Sequence, residues 1–181
     1  MSASLDFKAK YARQWGHSNK RERIALDWLD YLGIEAVPKG HGTLSPGVLD
    51  GYHSGPEDKF DLYAPALGLW FEITGTDWRK VDSAKRYSKA GLKPAVLAVL
   101  KAKVDLAEYY GLENRLWFVS VNGIQGEVRF LPCPEVKRFP LTHYAAGEGA
   151  YYAVPWDYWW PPFRALPSFA KRRMEACPIP A

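Results

Sequence analysis

The chain has 181 residues, of which 48% are hydrophobic and 24% charged, with a formal net charge of +4. That length suffices for one domain with a buried core, and the balance excludes wholesale disorder. The longest apolar stretches are far shorter than a membrane span, and the start, MSASLDFKAKYARQW, lacks a basic-then-apolar leader, so a cytoplasmic protein is expected.

In chain order, the first predicted element is a helix over 19–32. Ser18 or Asn19 can cap it, Gly33 can end it, and Ile24, Ala25, Trp28, Leu29 and Leu32 form one apolar face. A short strand over 34–38 and a glycine-rich loop over 39–58 follow; loops of this length are often functional. A hairpin comes next, 59–64 and 69–74 around Pro65-Ala66-Leu67-Gly68. It puts Phe60, Leu62 and Ala64 on one face and Lys59, Asp61 and Tyr63 on the other. Its second strand sets Leu69, Phe71 and Ile73 against Trp70, Glu72 and Thr74. Then come a helix over 78–91, an apolar strand Pro94–Leu100, a helix over 102–110, and strands over 116–121 and 127–131. The order is that of a mixed α/β domain.

Composition changes near residue 131. Nine of the 14 prolines lie from Pro132 onward, and proline breaks most long regular elements. The expectation is a domain over 1–131 and a Pro/aromatic-rich extension over 132–181 that packs on the domain or on a partner subunit. Its run YYAVPWDYWWPPF is also suited to stacking on unpaired bases. Cys133 and Cys177 show no CxxC spacing, which argues against a zinc ribbon or a disulfide framework. No GxxxxGK[ST] or GxSxG pattern is present, so no nucleotide cofactor is expected.

The hairpin carries the chemistry. Pairing Ala64 with Leu69 places Asp61 across from Glu72 and Lys59 across from Thr74. Directly opposed side chains lie about 5 Å apart at Cβ, and like charges there repel. A divalent cation between the two acids resolves the conflict, since hard cations such as Mg²⁺ take carboxylate oxygens. Two exposed acids on a solvent face, or a different hairpin register, are the alternatives.

The sequence of elements is a helix with a glutamate, a Gly-rich loop, Asp61, a ten-residue gap, Glu72-Ile73-Thr74, a helix and an apolar strand. Over roughly residues 18–100 it resembles the PD-(D/E)xK nuclease superfamily, and within it the archaeal Holliday-junction resolvases. The resemblance implies an α-β-β-β-α-β restriction-endonuclease-like core, a mixed β-sheet with flanking helices. It implies Mg²⁺, with Mn²⁺ as substitute, held by Asp61, Glu72 and the carbonyl of Ile73, with Glu22 as the first-helix acid. It also implies DNA as partner and a homodimer. Two positions depart from the pattern: Phe60, not proline, precedes Asp61, and Thr74 stands where the family has its lysine. A threonine hydroxyl can hydrogen-bond water but supplies no positive charge.

Either a lysine comes from elsewhere or the site is slow or dead. Lys85 is the first substitute, since it falls on the stripe of Val81, Ala84, Ser88 and Leu92, where a lysine needs a polar partner. Lys59 is the second, by its place on the acidic face. Glu22 lies at the edge of the first helix's apolar face, where complementing the helix dipole is its other use. The expected function is a Mg²⁺-dependent endodeoxyribonuclease, with Lys20, Arg21, Arg23, Lys39 and His41 holding the DNA backbone. The alternatives are a DNA-binding protein that kept the fold without catalysis, or an interaction protein working through its aromatic tail.

Overall fold

A computed structural model describes residues 19–39, 56, 59–76, 96–143 and 149–176. The helix expected over 78–91, with Lys85, and most of the loop over 39–58, with His41, lie outside the described residues.

Helix α1 covers 19–31. Its end is set by Gly33, whose φ of 71° admits the left-handed turn. The Ile34 N–H then reaches the Leu29 carbonyl at 2.8 Å and the Gly33 N–H the Asp30 carbonyl at 2.8 Å. That cap uses up Ile34, so the strand expected over 34–38 shrinks to β1 (Val37–Pro38).

Strands β2 (Leu62–Ala64) and β3 (Leu69–Thr76) form the hairpin. A single 3₁₀ turn over Pro65–Leu67 joins them, closed by Gly68 at φ 59°. Their register, Leu62↔Phe71, Tyr63↔Trp70 and Ala64↔Leu69, is the one the sequence predicts. Below Leu62 the chain leaves the ladder. The Asp61 N–H donates to the Phe71 carbonyl, and the Lys59 N–H turns back to Pro56. Three expectations change there for that reason. Asp61 comes near Glu72 from outside the ladder and not as its directly opposed strand partner. Lys59 does not stand across from Thr74, and Phe60 does not share a face with Leu62 and Ala64; it packs instead near Trp70, ring centroids 6.0 Å apart.

After β4 (Val96–Leu100) and α2 (Lys101–Tyr109) come β5 (Leu116–Asn122) and β6 (Glu127–Pro132). Every residue of β5 is buried, which suits a central strand covered on both faces. It runs parallel to β3 and antiparallel to β6, completing a five-stranded sheet in the order β1-β2-β3-β5-β6. Strand β4, whose exposure alternates, joins a second sheet with β7 (Leu141–His143) and β8 (Ala150–Pro155), in the order β4-β8-β7. Between β6 and β7 lies the short α3 (Cys133–Val136).

The last described element is α4 (Pro162–Ala176), a 15-residue helix in the region where prolines were expected to forbid one. Pro162 stands at its first position, where no N–H is needed and the fixed φ suits the helix. Pro167 lies inside and leaves the Phe163 carbonyl without its helical donor. Phe163 is 76% exposed, so water can serve that carbonyl.

The large sheet carries a core on each face. On the first, Ala25 and Leu29 of α1 and Ala165 and Phe169 of α4 cover Leu62, Phe71, Val119 and Phe130. On the second, Phe60, Trp70 and Phe118 meet Leu97, Val104, Val154 and Trp159. Residues beyond 131 thus contribute to both cores. The result is a mixed sheet flanked by helices, an α/β restriction-endonuclease-like core. Among the described residues, no helix is long and apolar enough to cross a membrane.

Candidate active site

Strand β3 alternates its side chains between the two faces. Phe71 enters the first core, while Glu72 emerges on the opposite face beside Trp70. Asp61 arrives there because the chain leaves the ladder just before β2. The Ile73 N–H therefore has no β2 carbonyl to meet, and Asp61 Oδ2 accepts it instead at 2.7 Å. A strand residue presents its N–H and C=O to the same edge. The Ile73 carbonyl accordingly leaves β3 on the side where Asp61 sits.

A third charged group comes from α2. The Lys103 ammonium donates to Glu72 Oε2 at 2.9 Å and to the backbone carbonyl of Lys59. It also lies 5.8 Å from the centre of the Phe60 ring. Phe60 and the Lys59 carbonyl hold these places because the chain turns before Asp61. The same departure from the ladder thus seats the aspartate and builds the lysine's cradle.

Electrostatics bind the three groups into one unit. Burial pushes the Glu72 carboxyl up to about 8, repulsion from Asp61 adds to the rise, and Lys103 opposes it. Burial also raises Asp61, against the attraction of Lys103 and the hydrogen bond from the Ile73 N–H. Lys103 is pulled down by burial, but the attraction of Glu72 and Asp61 outweighs this and keeps it charged.

Of the other residues singled out in the sequence, Glu22 is 1% exposed and near enough to Glu72 to raise its pKa further. Thr74 follows Glu72 on the same face of β3 and pairs with Ser120 of β5. Arg21 lies against β3 at Gly75, where an added Cβ would meet its Cδ at 2.5 Å. Lys20 and Arg23 are exposed on α1. The Lys39 N–H donates to the Asp61 carbonyl. Lys85 and His41 lie outside the described residues. Lys103 was missed, although its signal was legible. It precedes Ala107 by four residues and so shares the helix face that buries Val104 and Ala107.

Among the described residues, no three His, Cys, Asp or Glu side chains are grouped to hold a metal ion. Asp61 and Glu72 lie close enough to repel each other, and the Ile73 carbonyl leaves β3 at the edge where Asp61 sits. All three offer hard oxygens of the kind Mg²⁺ and Mn²⁺ take, with room in the shell for water and phosphate.

Residues 18–161 match the viral/archaeal nuclease family. The chain is 27% identical over 160 residues to uncharacterized protein D-244 of Sulfolobus spindle-shape virus 1, a match that takes in 78% of this chain. It spans 60% of the length of that relative. It is also similar in fold to D212, a nuclease from a fusselovirus, with 20% identity and a TM-score of 0.50, over 94% of this chain and 96% of that one.

Proposed function

The chain belongs to the viral/archaeal nuclease family, and we propose that it is a Mg²⁺-dependent endodeoxyribonuclease whose metal is held by Asp61, Glu72 and the Ile73 carbonyl. The observation that carries this reading is the convergence of Asp61, Glu72 and Lys103 on one face of the large sheet. Two acids pressed together with raised pKa values favour a cation between them.

The bound metal would supply Lewis acidity toward the scissile phosphate and lower the pKa of a water. The chain's own residues would do the rest. Asp61 is oriented by the Ile73 N–H and Glu72 by the Lys103 ammonium, so both carboxylates are held before substrate arrives. Lys103 would bring positive charge to the phosphodiester, the service that Thr74 cannot give. The Thr74 hydroxyl would hydrogen-bond water, and Glu22 would add negative charge behind Glu72. Lys20, Arg21, Arg23, Lys39 and His41 would contact DNA phosphates. A homodimer would match a branched substrate with symmetric arms.

A second reading rests on Thr74 and on the Lys103–Glu72 ion pair. In it, Lys103 only neutralises Glu72, and the protein binds DNA without cutting. Incubating wild type and Asp61→Asn with branched, single-stranded and duplex DNA in Mg²⁺ or Mn²⁺ separates the two. Cutting by wild type alone supports the nuclease, whereas salt-sensitive binding without cutting by either supports the second.

A further inference from the structure

On the first-core face of the sheet, away from Asp61 and Glu72, a cleft of about 310 Å³ opens between α4, the start of β5 and the end of β6. Its lining is divided. One side is α4, which presents Ser168, Lys171 and Arg172 at the i, i+3 and i+4 spacing that puts them on one helix face. The other is apolar: Trp117, with Pro132 paired to it across the β5–β6 ladder, and Pro134 beyond. Among the described residues, the lining includes two cations and a hydroxyl and no carboxylate. Arg172 Nη2 donates to the Asn114 carbonyl at 3.0 Å, which fixes the guanidinium at the rim. Trp117 is itself held by Phe169 at 4.8 Å and Trp160 at 5.6 Å, so this wall is rigid.

A cleft of this volume suits a ligand the size of one nucleotide. An anionic group fits the Ser168–Lys171–Arg172 side, since a planar guanidinium and an ammonium with a neighbouring hydroxyl are the donors that phosphate recognition uses. A flat apolar ring fits the wall of Pro132 and Pro134 beside Trp117, which is 7% exposed, as bases lie on aromatic and apolar surfaces. We infer that this cleft binds a single nucleotide unit, with its phosphate on α4 and its base on the Trp117–proline wall. That unit is either a free nucleoside monophosphate or one residue of a nucleic-acid strand. The site shares no residue with the Asp61–Glu72 centre and stands or falls apart from it.

The test uses full-length Asp61→Asn protein in EDTA, so that nothing is cut, labelled with 5-fluorotryptophan. The Trp117 resonance is assigned by its loss in Trp117→Phe. Thymidine monophosphate, thymidine, inorganic phosphate and a six-residue oligothymidylate are titrated in turn. The nucleotide and the oligonucleotide should each shift the Trp117 resonance. Thymidine and phosphate alone should need at least tenfold more ligand. Lys171→Glu, an exposed change that leaves the fold intact, should raise both nucleotide midpoints about tenfold or more. Tighter binding of the oligonucleotide than of the monophosphate makes a strand the ligand; equal binding makes it the free nucleotide. No shift with either, a shift that Lys171→Glu does not weaken, or phosphate alone binding as well as the nucleotide would overturn the inference.

Discussion

The Lys103 ammonium lies 2.9 Å from Oε2 of Glu72, joining a helix of one layer to the central β3 strand of another. The pair is mostly withdrawn from solvent, with the lysine side chain 25% and the glutamate side chain 14% exposed. Removing one member of such a pair leaves a charge without compensation, which costs about 3–5 kcal/mol when burial is complete. Lys103→Met should therefore destabilise the metal-free protein by ~2–3 kcal/mol at pH 8, below that range because both groups keep some solvent contact. The loss should shrink at pH 5, where Glu72 is neutral. Urea denaturation at the two pH values measures it, and equal losses at both would show that Lys103 does not serve Glu72.

Glu72 also sets a pH dependence. Its carboxyl titrates near 4.5 when the chain is unfolded and at about 8 when folded. Between those values the folded protein holds a proton that the unfolded chain has lost, so stability falls as pH rises from about 4.5 to 8. Asp61, raised in the same direction, adds to the slope. Urea midpoints in EDTA should fall across this window in wild type. Glu72→Gln should flatten the profile, and saturating Mg²⁺ should flatten it too by stabilising the ionised pair.

Gly75 is required by its neighbours. A Cβ there would lie 2.6 Å from the Val121 carbonyl and 2.5 Å from Arg21 Cδ. The arginine can move aside, but the backbone of the paired strand cannot. Gly75→Ala should cost about 1–3 kcal/mol. Adding Arg21→Ala should recover little of it, which thermal unfolding of the three variants would show.

Phe169 of α4 is 2% exposed and packs edge-on against Phe71, Trp117 and Phe130. Phe169→Ala should cost about 3–5 kcal/mol by emptying that volume. A small loss in denaturant titration would mean that α4 is peripheral to the first core.

The hairpin was legible because its information is local: alternation, a four-residue turn and a glycine able to take φ 59° fix which residues pair. The departure of Lys59 and Phe60 from the ladder was not. It depends on Phe60 finding Trp70 and on α2 covering the second face, contacts that no strand pattern encodes. The acidic pair was anticipated from that register, but Asp61 reaches Glu72 through the departure itself, and Lys103 comes from another element. Thr74 announced that a lysine was missing from its usual place, but choosing among lysines on other elements needs the packing of α2 on β3. Lys103 shares the helix face that buries Val104 and Ala107, and its approach to Glu72 follows from where α2 packs, while Lys85 lies outside the described residues. The proline-rich end misled because proline was read by count and not by position: Pro162 starts a helix as readily as Pro167 disturbs one.

If Asp61 and Glu72 share one divalent cation, its binding depends on both carboxyls. Isothermal titration of Mn²⁺ into wild type, Asp61→Asn and Glu72→Gln, each first shown to be folded by circular dichroism, tests it most directly. Wild type should bind one ion per chain, either variant should bind at least tenfold more weakly, and proton release on binding should shrink when either acid is removed. Unchanged Mn²⁺ affinity in both variants, or no binding by wild type, would contradict it.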